Sequence, residues 1–206
     1  MLSAFNVIVA LNFFRAIPIA LSEWGTAGGG AGWLEGNVVP APGGGLVNML
    51  RLTTDPVWDL VALTTVEAQG AALRFDPATG FARLPGGSHK FTVRRDAATG
   101  LYVTLSNQGE DRTRPVLRER LSMFASEDLR RWFHVITLMA ADPGEDPERA
   151  RMKTGFQYAD WILDGVSLLY VVRVSYDGAH SFHDSNRIVF GAVGDYRALL
   201  EARRPK

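Results

Sequence analysis

Glu35-Gly36-Asn37-Val38-Val39, Leu46-Val47-Asn48-Met49-Leu50-Arg51 and Asp59-Leu60-Val61-Ala62-Leu63 are three extended runs in succession. Each is rich in β-branched or aliphatic residues, and each is separated from the next by turn-forming residues. The same phrase returns at His89-Lys90-Phe91-Thr92-Val93, Leu101-Tyr102-Val103-Thr104-Leu105 and Leu121-Ser122-Met123-Phe124. It returns again at Phe156-Gln157-Tyr158-Ala159-Asp160-Trp161, Leu168-Leu169-Tyr170-Val171-Val172 and Arg187-Ile188-Val189-Phe190. A meander repeated every roughly 45 to 65 residues is the pattern of β-propeller blades. The fold class expected is therefore all-β: a partial propeller arc of about three to four antiparallel blades. In such a fold the innermost strands line a central channel, and function gathers at its mouth.

Composition narrows the partners. The chain of 206 residues is 47% hydrophobic and 21% charged, so a packed core is expected and disorder is not. Its formal net charge is zero, which gives no reason to expect a nucleic acid partner. With no cysteine, disulfides, zinc-thiolate sites and thiol catalysis are all excluded. The stretch Ala4 to Leu21 has no basic leader and is broken by Asn6, Asn12, Arg15 and Pro18. Its apolar runs fall far short of the roughly 20 residues of a membrane span, so no membrane partner is expected and the stretch reads as a strand. The chain is expected to be soluble; the lack of cysteine does not decide its compartment, which stays open, with a secreted or periplasmic full-length form as one option.

Turn signals punctuate the whole length. Pro42-Gly43-Gly44-Gly45, Asp76-Pro77-Ala78-Thr79-Gly80, Pro85-Gly86-Gly87 and Asp96-Ala97-Ala98-Thr99-Gly100 each separate β-rich runs. Helix is expected only as one turn within Asp142 to Lys153 and a short segment at Tyr196 to Arg203. Nothing resembles a linker, so residues 1–206 are expected to form a single domain. A closed propeller needs four or more blades of about 40 to 50 residues. The three repeats, with the outer strands of one more blade near Ile17 to Ala20 and Trp24, lead us to expect the C-terminal portion of a longer propeller. An open sheet edge would then favour self-association.

A family resemblance enters at specific strings. Trp33-Leu34-Glu35-Gly36-Asn37-Val38-Val39, Gly155-Phe156-Gln157-Tyr158-Ala159-Asp160-Trp161 and Phe182-His183-Asp184-Ser185-Asn186-Arg187-Ile188 look like blades of bacterial sialidase-like glycoside hydrolases. Ser126-Glu127-Asp128-Leu129-Arg130-Arg131-Trp132 is similar to the aspartate box of sialidases, a turn between outer strands. It lacks the central glycine, and its tryptophan is offset by one residue. In that turn serine and aspartate cap amides while tryptophan packs between strands, a structural role. The resemblance covers about residues 24 to 197 and implies a five- or six-bladed propeller that hydrolyses or binds a carbohydrate.

Glycoside hydrolysis needs two carboxyl groups flanking the scissile bond. Carboxylates placed where apolar alternation would exclude them are the candidates: Glu35, Asp160, in the same relative place in a later blade, and Asp184, in the polar knot before the last strand. For sugar binding the candidates are His89, Lys90, Tyr158, His183 and Asn186. Arg118 and Glu119 join them, because they match a family position where arginine and asparagine occur, with glutamate replacing the asparagine here. An arginine there can hold a carboxylate or sugar hydroxyls bidentately. Glu35, His89, Lys90, Tyr158, Asp160 and His183 are expected to crowd one end of the channel. No cofactor and no metal ligand set are expected; a single channel cation such as calcium is compatible with carboxylates and carbonyls. The alternative function is a non-catalytic carbohydrate-binding or structural propeller fragment.

Overall fold

A computed structural model describes residues 32–53, 58–108, 117–142, 144 and 146–205. The strand expected near Ile17 to Ala20 and the Trp24 region lie outside the described residues. The chain divides into two compact units, Met1–Arg83 and Leu84–Lys206.

The first unit is one antiparallel sheet. β1 (Gly32–Pro40), β2 (Leu46–Thr53), β3 (Leu60–Glu67) and β4 (Ala72–Arg74) pair in chain order, and β5 (Phe81–Arg83) also pairs with β3. Gly44 and Gly45, both at positive φ, close the β1–β2 hairpin in a conformation that side chains disfavour. Leu50, Leu52 and Ala62 form a small core capped by Trp33, Phe75 and Phe81. The three rings meet edge to face, at 4.8 Å for Trp33–Phe75 and 5.0 Å for Phe75–Phe81.

The second unit holds two meanders. β6 (Thr92–Arg95), β7 (Tyr102–Ser106), β8 (Arg120–Ser126) and β9 (Trp132–Ala140) form one; β10 (Gly155–Asp164), β11 (Ser167–Ser175) and β12 (Arg187–Val193) form the other. Every pairing is antiparallel. Helices are minor: α1 (Pro147–Lys153) precedes β10 and α2 (Tyr196–Arg203) follows β12. The all-β expectation holds, and each of the three quoted repeats is a meander running through a sheet in chain order, as in a propeller blade.

Burial explains why the strands form where they do. β7 and most of β8 are buried on both faces, so they read as continuous apolar runs rather than alternating ones. One core joins both meanders, from Leu101, Val103 and Met123 to Trp161, Leu168 and Val172. Tyr196 and Leu200 of α2 enter the same core. The first strands of the two meanders are stitched directly: Trp161 Nε1 donates to the Thr92 carbonyl at 3.0 Å, and Thr92 Oγ1 donates to the Ala159 carbonyl at 3.3 Å.

Two loops are copies of one another. In Asp76–Gly80 and Asp96–Gly100 the aspartate accepts from the amide two residues on and the threonine hydroxyl three residues on. In each, the glycine amide closes the turn on the aspartate carbonyl. The second copy has a further partner, since Arg197 of α2 grips the buried Asp96 carboxylate through two bonds of 3.0 Å. Burial alone would raise the Asp96 pKa, but the Arg197 and Thr99 bonds overcome it and bring it down to about 2. The same burial, with the Asp96 charge beside it, pushes the Tyr196 hydroxyl up to about 12.

Because the folded Asp96 pKa lies below its ordinary 3.8, the stabilisation is complete above that pH and is lost as pH falls through about 2. The size is about 2 kcal/mol. Asp96→Ala is expected to destabilise the second unit by roughly that much at pH 7 and to abolish this part of its acid sensitivity. Urea unfolding at pH 7 and pH 2 measures both. An unchanged midpoint at pH 7 would remove the clamp from the account.

The turn from Ser126 to Trp132 joins β8 to β9, the last two strands of its meander. Asp128 Oδ1 accepts from the Arg130 and Arg131 amides at 2.9 and 2.8 Å, and Ser126 Oγ bonds the same carboxylate at 3.2 Å. Without the usual glycine, Leu129 itself takes a left-handed φ of 63°.

Candidate functional site

The candidate site of the second unit is built on a defect in β10. The pairing of β10 with β11 runs Gln157↔Arg173 and resumes at Asp160↔Val171, so Tyr158 and Ala159 stand opposite Val172 alone. This is a β-bulge, which re-aims side chains and sharpens the local twist. Tyr158 accommodates it with φ of 55°, a left-handed conformation costly for an aromatic residue. The first unit repeats the device: on β1, Leu34 and Glu35 stand opposite Arg51 alone, between Trp33↔Leu52 and Gly36↔Leu50.

That shared register corrects one sequence expectation. Glu35 and Asp160 do not occupy the same relative place. Aligned by their bulges, Glu35 corresponds to Ala159 and Gly36 to Asp160. Matching by nearby aromatics slips by one residue, because a bulge breaks the simple two-residue alternation.

The turned-out Tyr158 ring sits between two cations. The guanidinium of Arg118 lies 5.4 Å from its centroid and that of Arg173 lies 5.0 Å away. The His183 ring approaches edge-on at 6.3 Å. Gln157, 1% exposed, holds the assembly together. Its Oε1 accepts from Arg118 Nη1, and its Nε2 reaches the carbonyls of Phe182 at 3.0 Å and His183 at 2.7 Å. Ser185 Oγ lies 3.3 Å from the same Nε2 and accepts from Arg173 Nε at 3.1 Å. Gly155 allows this close approach, since a Cβ there would collide with the Phe182 carbonyl. Arg118 is buried and Arg173 exposed; among the described residues no carboxylate pairs with Arg173.

Asp160 lies beside the bulge and is half exposed. Burial opposes its ionisation, but the hydrogen bond from Arg94 at 2.8 Å and that from the Trp161 amide at 2.8 Å lower its pKa, and the Lys90 charge adds to the effect. Arg94 also lies over the Trp161 ring at 5.1 Å. Asp160 is therefore a fixed, ionised carboxylate.

The other expected residues are placed as follows. Lys90 is half-buried and His89 buried, both in the segment just ahead of β6 rather than on it. Glu119 follows Arg118, and its Oε2 is buried with no hydrogen-bond partner among the described residues. Asp184 is exposed in the loop joining β11 to β12, and its pKa is lowered by hydrogen bonds from His180 and Ser181. Asn186 uses its amide on the base of that same loop: Nδ2 donates to the Tyr176 carbonyl at 2.7 Å and Oδ1 accepts from the Tyr176 amide at 3.3 Å. Glu35 belongs to the first unit, exposed, with its carboxylate 3.3 Å from Arg51 Nη1. Among the described residues no three His, Asp or Glu side chains gather as a metal site, and no helix is long and apolar enough to cross a membrane.

Sequence reasoning missed Arg173, Gln157, Ser185 and Arg94. Arg173 carried a signal: a lone arginine inside Val171-Val172-Arg173-Val174, where an aliphatic strand otherwise admits no charge.

No family model matches the chain, and no curated protein matches it. Among solved structures it is similar to an α-L-arabinofuranosidase from Fusarium graminearum in complex with an iminosugar inhibitor, with 10% identity and a TM-score of 0.49. That match covers 79% of this chain and 45% of the other. It is also similar to an α-L-arabinanase from Penicillium chrysogenum complexed with arabinobiose, with 12% identity, a TM-score of 0.48, and coverage of 79% and 46%. The chain thus spans less than half the length of these two proteins.

Proposed function

We propose that the second unit carries a carbohydrate site of sialidase-like type, in which Arg118 and Arg173 hold the carboxylate of an acidic sugar beside Tyr158. The observation that carries this reading is the stack itself: a strained, turned-out tyrosine with a guanidinium at about 5 Å on each of two approaches. Arg173, exposed and with no carboxylate partner among the described residues, has donors for an anionic ligand, and a planar fork matches a carboxylate.

Asp160 fits a supporting role here. Held ionised by Arg94 and the Trp161 amide, it accepts from sugar hydroxyls or stabilises positive charge developing at an anomeric carbon. It is not suited to donate a proton. Asp184 is pulled down as well, the opposite of what a general acid requires. This favours the second reading, binding without efficient turnover by the 206-residue chain.

The test pairs binding with turnover. Sialyllactose is expected to bind at least about tenfold tighter than lactose, the worth of one charge-assisted contact. Arg173→Ala is expected to erase the difference. Equal affinity for the two sugars would overturn the acidic-sugar reading. On 4-methylumbelliferyl sialoside the chain is expected to show slow or no release. Rapid turnover abolished by Asp160→Asn would replace the binding reading with the hydrolase one.

A further inference from the structure

We infer that the second unit has a separate binding cleft, between α1 and the first limb of the β11–β12 loop, that takes a neutral sugar. The cleft has a volume of about 520 Å³ and is lined by Asp142, Arg149, Lys153, Tyr176, Asp177 and the 178–179 backbone. That volume lies within the range of small-molecule sites, roughly 300–1,000 Å³.

The lining selects the ligand class. Tyr176 is 38% exposed, with the Arg187 guanidinium 5.2 Å from its ring centroid, so the ring is braced while part of it stays open. A braced aromatic surface beside hydrogen-bonding groups suits the apolar face of a pyranose. Around it stand two carboxylates, Asp142 and Asp177, the second paired with Arg187 at 3.8 Å, and two lining cations, Arg149 and Lys153. Acids and bases set side by side penalise a free anion through the carboxylates and a free cation through the bases. A neutral polyhydroxylated ligand uses both kinds of group, donating hydroxyl protons to the acids and accepting from the bases.

The cleft is also prebuilt. Asn186 pins both the amide and the carbonyl of Tyr176 and reaches the Asp177 carbonyl at 3.3 Å. Asp177 and Gly178 turn tightly at φ of 33° and 82°, a conformation aspartate and glycine tolerate better than other residues. On the facing side Lys153 Nζ donates to the His180 carbonyl at 2.7 Å, tying α1 to the same loop. Asn186, read from the sequence as a sugar ligand, acts here by fixing the limb that carries Tyr176.

This site does not depend on the acidic-sugar reading. The test is titration of the ¹⁵N-labelled chain with lactose, cellobiose, maltose and xylobiose, each to about 50 mM, the weak-affinity regime of single sugar contacts. At least one is expected to shift the amides of Gly144, Gly178 and Ala179 with a millimolar Kd. Tyr176→Ala should weaken that binding at least about tenfold, and Asp177→Asn by a few-fold. Arg173→Ala should leave it unchanged. Should Tyr176→Ala lose its native spectrum, Asp177→Asn alone decides. No shift with any of the four sugars would overturn the inference. So would shifts that survive these variants, or tighter binding of inorganic phosphate than of every sugar.

Discussion

Trp161→Ala is expected to destabilise the second unit by about 3–5 kcal/mol, the range for emptying a buried aromatic site. The indole is 2% exposed and lies within the core shared by the two meanders, so little solvent can relax into the space. Three further interactions go with it or lose their support. Its Nε1 bond to the Thr92 carbonyl disappears, leaving a buried acceptor on β6 without that donor. Arg94 loses the ring it lies over at 5.1 Å. The Asp160 carboxylate keeps the backbone amide of residue 161 but loses the ordered wall that fixes Arg94 beside it. For a unit of this size the melting temperature should fall by roughly 10–20 °C. Trp161→Phe retains most of the volume and should cost about 1–3 kcal/mol. Calorimetry of the three proteins checks the series. A loss below about 1 kcal/mol for the alanine variant would show that the meanders are held together elsewhere.

What the sequence made legible was periodicity. The nine quoted runs correspond to β1–β3, β6–β8 and β10–β12, because β-branched residues between glycine and proline turns leave little else for the chain to do. Tyr196 to Arg203 was legible as helix, while the single turn expected within Asp142 to Lys153 is the seven-residue α1. Strand starts were less so: β6 begins at Thr92, because the turn from Pro85 to Ser88 carries His89 and Lys90 ahead of the sheet. The bulges were not legible at all. Nothing in Gln157-Tyr158-Ala159-Asp160 announces an extra residue, because a bulge is a property of two strands in register and not of one. Long-range partners were hidden likewise. Arg197 is 101 residues from Asp96, and only the fold brings α2 to that loop. Of the candidate site, Arg118, Tyr158 and His183 were named and are brought together, whereas Arg173 and Gln157 emerge only when β10 pairs with β11 and the loop folds back.

Gln157→Leu is expected to cost about 2–4 kcal/mol in stability and also to weaken acidic-sugar binding, although the residue offers no atom to the sugar. The side chain is buried, and one amide serves the Arg118 guanidinium, two loop carbonyls and the Ser185 hydroxyl. Leucine matches its size but leaves those partners desolvated without their bonds, at about 1–3 kcal/mol for each that water cannot reach. The binding loss follows from position. Arg118 loses the oxygen that orients it, and the Phe182–Ser185 segment, which bears the hydroxyl holding Arg173, loses its anchor to β10. Gln157→Glu separates the two effects. A carboxylate still accepts from Arg118 and restores that seat, but it cannot donate to the carbonyls and it neutralises the guanidinium. Its stability should therefore lie between wild type and leucine, while sialyllactose affinity falls at least as far as in the leucine variant. A purely structural glutamine would give affinities that follow stability across the pair. A glutamate variant that is more stable than the leucine one yet binds more weakly would show that the anionic ligand reads the uncompensated charge of Arg118, which the neutral Gln157 seats without cancelling.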